Sequence, residues 1–197
     1  MMAFMKLVLA VLLSACALLG QQNVLTPKEK ADGWILLFDG NTLKGWDQGG
    51  QSTWRVENGV IVADKGDALN LRSAEIYSDF ILKVDFRNGK DGNSGVFVRS
   101  ALRGQPEVTG YEVQICNDHA TFPTGSLVNT VKAKPVAPAP EVWHTYEITA
   151  QGDHFAIVLD GGTVLDAHDS KSKEGYVILQ FNKDKKIEFR NIKLKKL

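Results

Sequence analysis

Glu112 and Gln114 are the residues of this chain best placed, by type and spacing, to do chemistry. In Gly110 to Ile115 they alternate with Tyr111, Val113 and Ile115. Strand side chains have a period of two, so the acid and the amide share one face and the apolar residues take the other. A strand earlier, the run Asn93-Ser94-Gly95-Val96-Phe97-Val98-Arg99 repeats the arrangement. Val96 and Val98 point one way; Asn93, Phe97 and Arg99 point the other. Acid, amide, guanidinium and aromatic fronts over apolar backs are what the floor of a sugar-binding cleft requires.

The elements that must hold these residues are strands. From Gly33 onward, short alternating or apolar runs are separated by glycine-containing turns at fairly regular spacing, which predicts an all-β sandwich or barrel. Strands are predicted at 35–38, 54–57, 60–63, 80–87, 95–100, 111–116, 143–150, 155–159, 176–181 and 186–195. Asn58-Gly59, Asp91-Gly92 and Asp160-Gly161 fall between runs, where tight hairpin turns belong. No mature segment carries a long 3.6-residue apolar period, so helices are expected to be short and peripheral. Lys132 to Glu141, with three prolines, reads as an irregular loop.

Within these strands the same parity gives an expected core of Val84, Phe86, Val96, Val98, Val113 and Ile115. Lys83, Asp85 and Arg87 face away from Val84 and Phe86; placed beside Arg99 and Glu112 they could balance charge on one sheet face, but for Lys83 and Arg87 the preferred reading is the solvated outer face of an antiparallel sheet. Near the end, the alternation of Ile187 and Phe189 gives way to Ile192 and Leu194. That parity break at Arg190-Asn191 predicts a bulge, a device that re-aims side chains, and makes both residues candidates for substrate binding.

The N-terminus speaks to compartment. Leu7 to Leu19 is apolar or small throughout and follows Lys6. The run is shorter than the roughly 20 residues of a spanning helix and suits a signal-peptide core. It contains Leu13-Ser14-Ala15-Cys16, which resembles the lipobox of bacterial lipoproteins, so Cys16 is the expected lipidation site. Residues 1–20 are read as this leader, 21–32 as a polar tether and 33–197 as the domain. The expectation is an exported protein, periplasmic or membrane-anchored, that meets the membrane only through an N-terminal lipid.

Composition narrows the partners. With Cys16 removed or lipidated, Cys116 stands alone, no internal disulfide forms, and a packed thiol is expected there. Lys plus Arg and Asp plus Glu both number 23, so nothing points to nucleic acid. His119, His144, His154 and His168 lack paired ligand spacing, and Asp91-Gly92-Asn93 lacks the further acids of a calcium loop, so no metal site is expected. His119 is the histidine nearest Glu112 in sequence and a candidate acid–base partner. Asp39-Gly40 reads as a turn.

Taken in order, several segments resemble the 3-keto-disaccharide hydrolase domain family. They are Leu37-Phe38-Asp39-Gly40, Leu43-Lys44-Gly45-Trp46, Asn93 to Arg99, Gly110 to Ile115, Thr124-Gly125-Ser126-Leu127, Trp143 with Tyr146, and Phe189-Arg190-Asn191-Ile192. The resemblance covers about 33–197 and implies a two-sheet, concanavalin A-like jelly roll. It also implies an exported enzyme or binding domain for glucosides oxidised at C3. Two departures stand out. Phe181-Asn182 follows Leu179-Gln180 where relatives often carry histidine and glycine, and Val128-Asn129 replaces a common tyrosine-glycine pair.

A retaining glycosidase needs two carboxylates roughly 5–5.5 Å apart. Glucanases on this jelly roll often carry Glu-x-Asp-x-x-Glu. Here the run is Glu112 to Asn117, with Gln114 in the middle acid's place and Asn117 in the last one's. A 3-keto sugar needs less, because its carbonyl acidifies the C2 proton and the C1 substituent can leave by elimination before water adds. Glu112 is expected as the base and Arg99 as the stabiliser of the enolate at O3, with Asn93 and Gln114 holding hydroxyls. The route calls for no cofactor. The alternatives are a non-catalytic carbohydrate-binding lipoprotein of the same fold, and a structural surface domain whose polar face is merely solvated.

Overall fold

The computed structural model describes residues 22–48, 54–67, 69–183 and 185–197. The expected leader and Cys16 lie outside the described residues. Among the described residues there are two short helices and thirteen strands, the strands being β1 (Trp34–Leu36), β2 (Trp46–Asp47), β3 (Arg55–Glu57), β4 (Val60–Ala63), β5 (Leu71–Tyr77), β6 (Phe80–Asn88), β7 (Ser94–Ser100), β8 (Tyr111–Ile115), β9 (His144–Gln151), β10 (His154–Leu159), β11 (Gly162–His168), β12 (Gly175–Leu179) and β13 (Ile187–Lys196). Helix α1 (Pro27–Ala31) precedes β1, and α2 (Pro106–Thr109) sits in the β7–β8 connection.

All strand pairs are antiparallel and form two sheets. The larger runs β11-β10-β9-β6-β13-β4-β3, with β1 also paired to β13; the smaller runs β2-β5-β12-β7-β8. Asn58-Gly59 and Asp160-Gly161 both have positive φ at each position, the backbone a two-residue hairpin needs to match strand twist. Asp91-Gly92 does not. There the turn closes through a Gly92 N–H donated to the Gly89 carbonyl, and the Asn88 side chain fills the space beside Gly92.

The core lies between the sheets. Val84, Phe86, Val96, Val98, Val113 and Ile115 are all fully buried, joined by Tyr111, Tyr146, Phe155 and Phe189. The all-β sandwich is one of the two forms the alternation predicted, and the two-sheet jelly roll is the one the family resemblance implied. The strands that alternation missed are β2, β5 and β11. In β5 the outward residues run Ala74-Glu75-Ile76, all exposed, so no apolar period of two marks the strand.

The bulge in β13 is present: its register against β6 shifts between Arg190 and Lys193, and Asn191 has φ +51°. Residues 22–32, expected to be a tether, instead fold onto the domain. Asn23 is buried; its N–H donates to Asn191 Oδ1 at 2.7 Å and its Nδ2 to the Gly59 carbonyl at 2.8 Å, while Asn191 N–H donates back to Asn23 Oδ1 at 2.8 Å. Thr26 and Glu29 make a reciprocal capping box on α1, and Glu29 pairs with Lys193 of β13. Composition showed the polarity of this arm but not its partners, which lie far along the chain.

Candidate functional site

Antiparallel register sets out the site on the face of the smaller sheet turned away from the core. Residues opposite one another on neighbouring strands point the same way. Asp47, Arg72, Ile178, Phe97 and Glu112 are successive partners across β2, β5, β12, β7 and β8, and so form one transverse row. The next row on this face holds Gly95 and Gln114, which are register partners, and Gln180, whose N–H donates to the Gly95 carbonyl at 2.9 Å. A third level holds Asn93, whose Oδ1 accepts from Asn182 Nδ2 at 2.8 Å. Beyond β8, residues 124–128 extend the sheet: Gln114 N–H donates to the Ser126 carbonyl and Val128 N–H to that of Glu112.

Glu112 is only 5% exposed. Phe97, Ile178, Val128 and Cys116 are buried on this side of the sheet, outside the central core cluster. Burial pushes the Glu112 carboxyl up to about 7; Glu107, of like charge, adds to this, while the Gln180 side-chain amide favours the charged form. A carboxylate raised by desolvation toward neutral pH is suited to moving a proton in either direction. Gln114 is buried beside it, its Oε1 accepting from the Ile115 N–H at 3.1 Å. That leaves the Gln114 amide N–H groups without a hydrogen-bond acceptor among the described residues.

Arg99 is not where parity placed it. Its φ is +54°, which reverses the expected direction of the side chain. The guanidinium is fully buried and donates to the carbonyls of Ser78 (2.7 Å), Gly152 (2.7 Å) and Ser172 (3.3 Å) and to Asp79 Oδ1 (2.8 Å), lying over the Phe155 ring. Among the described residues no basic side chain pairs with Glu112. The expectation that Arg99 faces Glu112 is corrected: its donors are spent on backbone carbonyls and on Asp79 at one end of the sandwich.

Arg190 and Asn191 are also placed elsewhere. Both belong to β13 of the larger sheet, on its outer side. Arg190 Nε and Asn191 Nδ2 donate to Asp85 Oδ2 at 3.2 and 2.7 Å, and Arg190 stacks over Trp143 at 4.0 Å, with Arg87 over the same ring at 4.7 Å. The bulge does re-aim side chains, but toward Asp85 and the N-terminal arm. Lys83, Asp85 and Arg87 find partners on that sheet too, in Glu147, Arg190 and Glu188. They do not balance Glu112. A cavity of about 440 Å³ lies here, under the arm, lined among others by Thr26, Glu29, Lys83, Asp85 and Asn191.

The remaining candidates resolve individually. His119 Nδ1 accepts from the N–H groups of Thr121 and Phe122, so it staples a turn. His144 lies against Asp160 and the Ala139 carbonyl of the proline-rich loop. Cys116 is buried, and burial raises its thiol. Asp39 closes a turn by accepting from Asn41 and Thr42 N–H. No group of three or more His, Cys, Asp or Glu gathers to hold a metal among the described residues. Phe181 packs in the core edge-on to Trp54, 6.2 Å between ring centroids. The histidine expected of the family is thus replaced by a packing residue, and its neighbour Gln180 is the group that reaches Glu112.

Sequence reasoning missed Gln180, Asn182 and Arg72. Gln180 and Asn182 sit just past β12, where alternation with Leu179 and Phe181 was a usable signal. Arg72 lies in β5, which carried none. It stacks over Tyr176 at 4.3 Å and pairs with Asp47, three strand spacings, about 14 Å, from Glu112.

The class that fold and site define is a two-sheet jelly roll whose smaller sheet carries a buried carboxylate, Glu112, among amides on its outer face. Residues 33–195 match the 3-keto-alpha-glucoside-1,2-lyase-like domain, and the chain belongs to that family. A 3-keto-disaccharide hydrolase of Bacteroides thetaiotaomicron is 37% identical over 79 residues, 34% of this chain and 27% of that relative, so the match spans about a quarter of the relative's length. Among solved structures, a glycosyl hydrolase candidate from Parabacteroides distasonis superposes with a TM-score of 0.79 at 25% identity, covering 90% of this chain and all of that one (100%). The carbohydrate-binding module CBM66 of Bacillus subtilis gives a TM-score of 0.58 at 25% identity, covering 76% and 94%.

Proposed function

We propose that this protein cleaves 3-keto-glucosides by elimination and hydration, with Glu112 as the base. The observation that carries the reading is the setting of Glu112. Its carboxyl is pushed up to about 7, first by burial. The neighbours its register gives are Gln114, Phe97, Gly95 and Gln180, and the acid whose like charge adds to the shift, Glu107, lies on helix α2 outside that row. That arrangement does not suit double displacement, which needs a paired carboxylate. It suits removal of a proton made acidic by an adjacent carbonyl.

Glu112 takes the C2 proton, and the C–H electrons pass to C2 and O3 as an enolate. The enolate collapses to a C1–C2 double bond as the C1 substituent leaves with its electron pair and takes a proton from water. The hydroxide so formed adds at C1, and Glu112 returns its proton to C2. With Arg99 engaged elsewhere, charge at O3 is met by side-chain amide N–H groups, for which Gln114 has free donors and Asn93 and Asn182 lie one level further along. The family's description as 1,2-lyase-like agrees with a reaction across C1 and C2. The expected leader and Cys16 would place this activity outside the cytoplasm.

The test is turnover of a 3-keto-disaccharide against its unoxidised parent, with deuterium at C2. Elimination predicts cleavage of the oxidised sugar alone, with a slowed rate or loss of deuterium to solvent. Cleavage that keeps the label without an isotope effect would reject elimination. The second reading is a non-catalytic sugar-binding domain, favoured by Phe181 in place of the expected histidine and by the likeness to a binding module. Thermal stabilisation by the sugar without turnover would select it.

A further inference from the structure

Glu112 does not stand upright in its own row. A Cβ built on Gly95 would lie 2.6 Å from Glu112 Oε1, 2.9 Å from its Cγ and 3.1 Å from its Cδ. These are the three nearest atoms, so what fills the space above Gly95 is the carboxylate arm of Glu112 and nothing else comes as close. Gly95 belongs to the row of Gln114 and Gln180. The arm therefore crosses β7 diagonally, away from Phe97, and brings its carboxylate down onto bare backbone between two amides.

We infer that Gly95 is a positioning residue for the reaction proposed above, on which this inference rests: its missing side chain lets the Glu112 carboxylate lie flat between Gln114 and Gln180. Gly95 has no positive φ, so turn geometry is not what calls for glycine here. Glycine inside a strand costs stability and packing, and commonly marks a place where another group approaches the backbone closely. Here that group is the candidate base. Even one methyl would lift the carboxylate by roughly the difference between 2.6 Å and an ordinary contact, turning it out toward solvent. The raised affinity of Glu112 for its proton comes first from burial, so the lifted carboxylate should titrate lower. It should also miss the sugar proton, because a displacement of about 1 Å can cost on the order of 100-fold in rate.

Two variants and two readouts test this. In folded Gly95→Ala, carboxyl-carbon NMR should show the Glu112 midpoint falling by about one unit or more. On a 3-keto-glucoside, kcat should drop by about 100-fold with KM little changed. The same change in a Glu112→Ala background should cost little melting temperature, since the methyl then has room. Gly95→Ala with an unmoved Glu112 midpoint, or with the same melting loss in both backgrounds, would overturn the inference. The titration and the stability coupling need no turnover. A wild-type protein inert toward 3-keto-glucosides would thus sink the functional reading while leaving the positioning of Glu112 by Gly95 separately decided.

Discussion

Arg99 Nη2 donates to Asp79 Oδ1 at 2.8 Å, and the arginine side chain is wholly buried while that of Asp79 is 40% exposed. The same carboxylate oxygen accepts the Gly152 N–H at 3.0 Å. Together with the carbonyls of Ser78, Gly152 and Ser172, the pair ties the β5–β6, β9–β10 and β11–β12 connections to the end of β7. Removing one partner of a buried pair is costly because the remaining polar groups lose their compensation. Arg99→Met leaves the Ser78 and Gly152 carbonyls without their donor, at about 1–3 kcal/mol per orphaned group, and unfolding free energy should fall by that order in urea titration. Asp79→Asn should cost less, since water reaches that carboxylate. Wild-type stability in Arg99→Met together with lost turnover would return Arg99 to the catalytic site.

Asn23 makes the corresponding test for the N-terminal arm. Its side chain and backbone close a reciprocal pair with Asn191 and also bind the Gly59 carbonyl. Truncation strands the Gly59 carbonyl and the Asn191 N–H in a half-buried setting. Each orphaned group costs about 1–3 kcal/mol, so Asn23→Ala should melt clearly below wild type. Deleting residues through Asp32 should do at least as much damage. An arm that behaves as a tether would leave the melting temperature of both proteins unchanged.

The parity of buried strands carried most of what was legible. Val84, Phe86, Val96, Val98, Val113 and Ile115 are in the core because every alternative register would bury their polar neighbours. The same parity put Glu112, Gln114 and Asn93 on one face. It failed at Arg99, where a positive φ inverts the side chain, and dihedral choice at a non-glycine residue leaves no mark in composition. It failed again for Arg190 and Asn191, whose bulge was visible but whose sheet was not: β13 pairs with β6, about a hundred residues earlier. Which strands neighbour one another is a long-range matter, and alternation is a local signal.

Cys16 and the apolar run before it motivate a separate experiment, since they lie outside the described residues. If the Leu13 to Cys16 pattern is used as a lipobox, Cys16→Ser should leave the precursor unprocessed or release the protein from the membrane fraction. Fractionation and gel mobility read this directly. A variant that partitions and migrates like wild type would remove the lipid from the account, leaving export to be decided by whether the leader is cleaved at all.

Glu112 ties activity and stability to pH in opposite senses. As a base it must be charged, so kcat/KM should rise with pH to a plateau above about 7. The stability effect follows from protons bound. The folded carboxyl is raised above its ordinary value of 4.5, so between there and about 7 the native state holds a proton that the unfolded chain has lost. Stability from this group is therefore full below the unfolded value and falls away as pH rises through the folded one. Glu112→Gln carries no such charge. It should lose turnover by about 10²–10⁴-fold, yet gain on the order of 2–3 kcal/mol over wild type at pH 8, with the advantage shrinking toward pH 5. Paired melts at the two pH values check it. Equal stability of the two proteins at both would mean that Glu112 is not held in the dry setting its neighbours imply, and full activity in Glu112→Gln would remove it from the site.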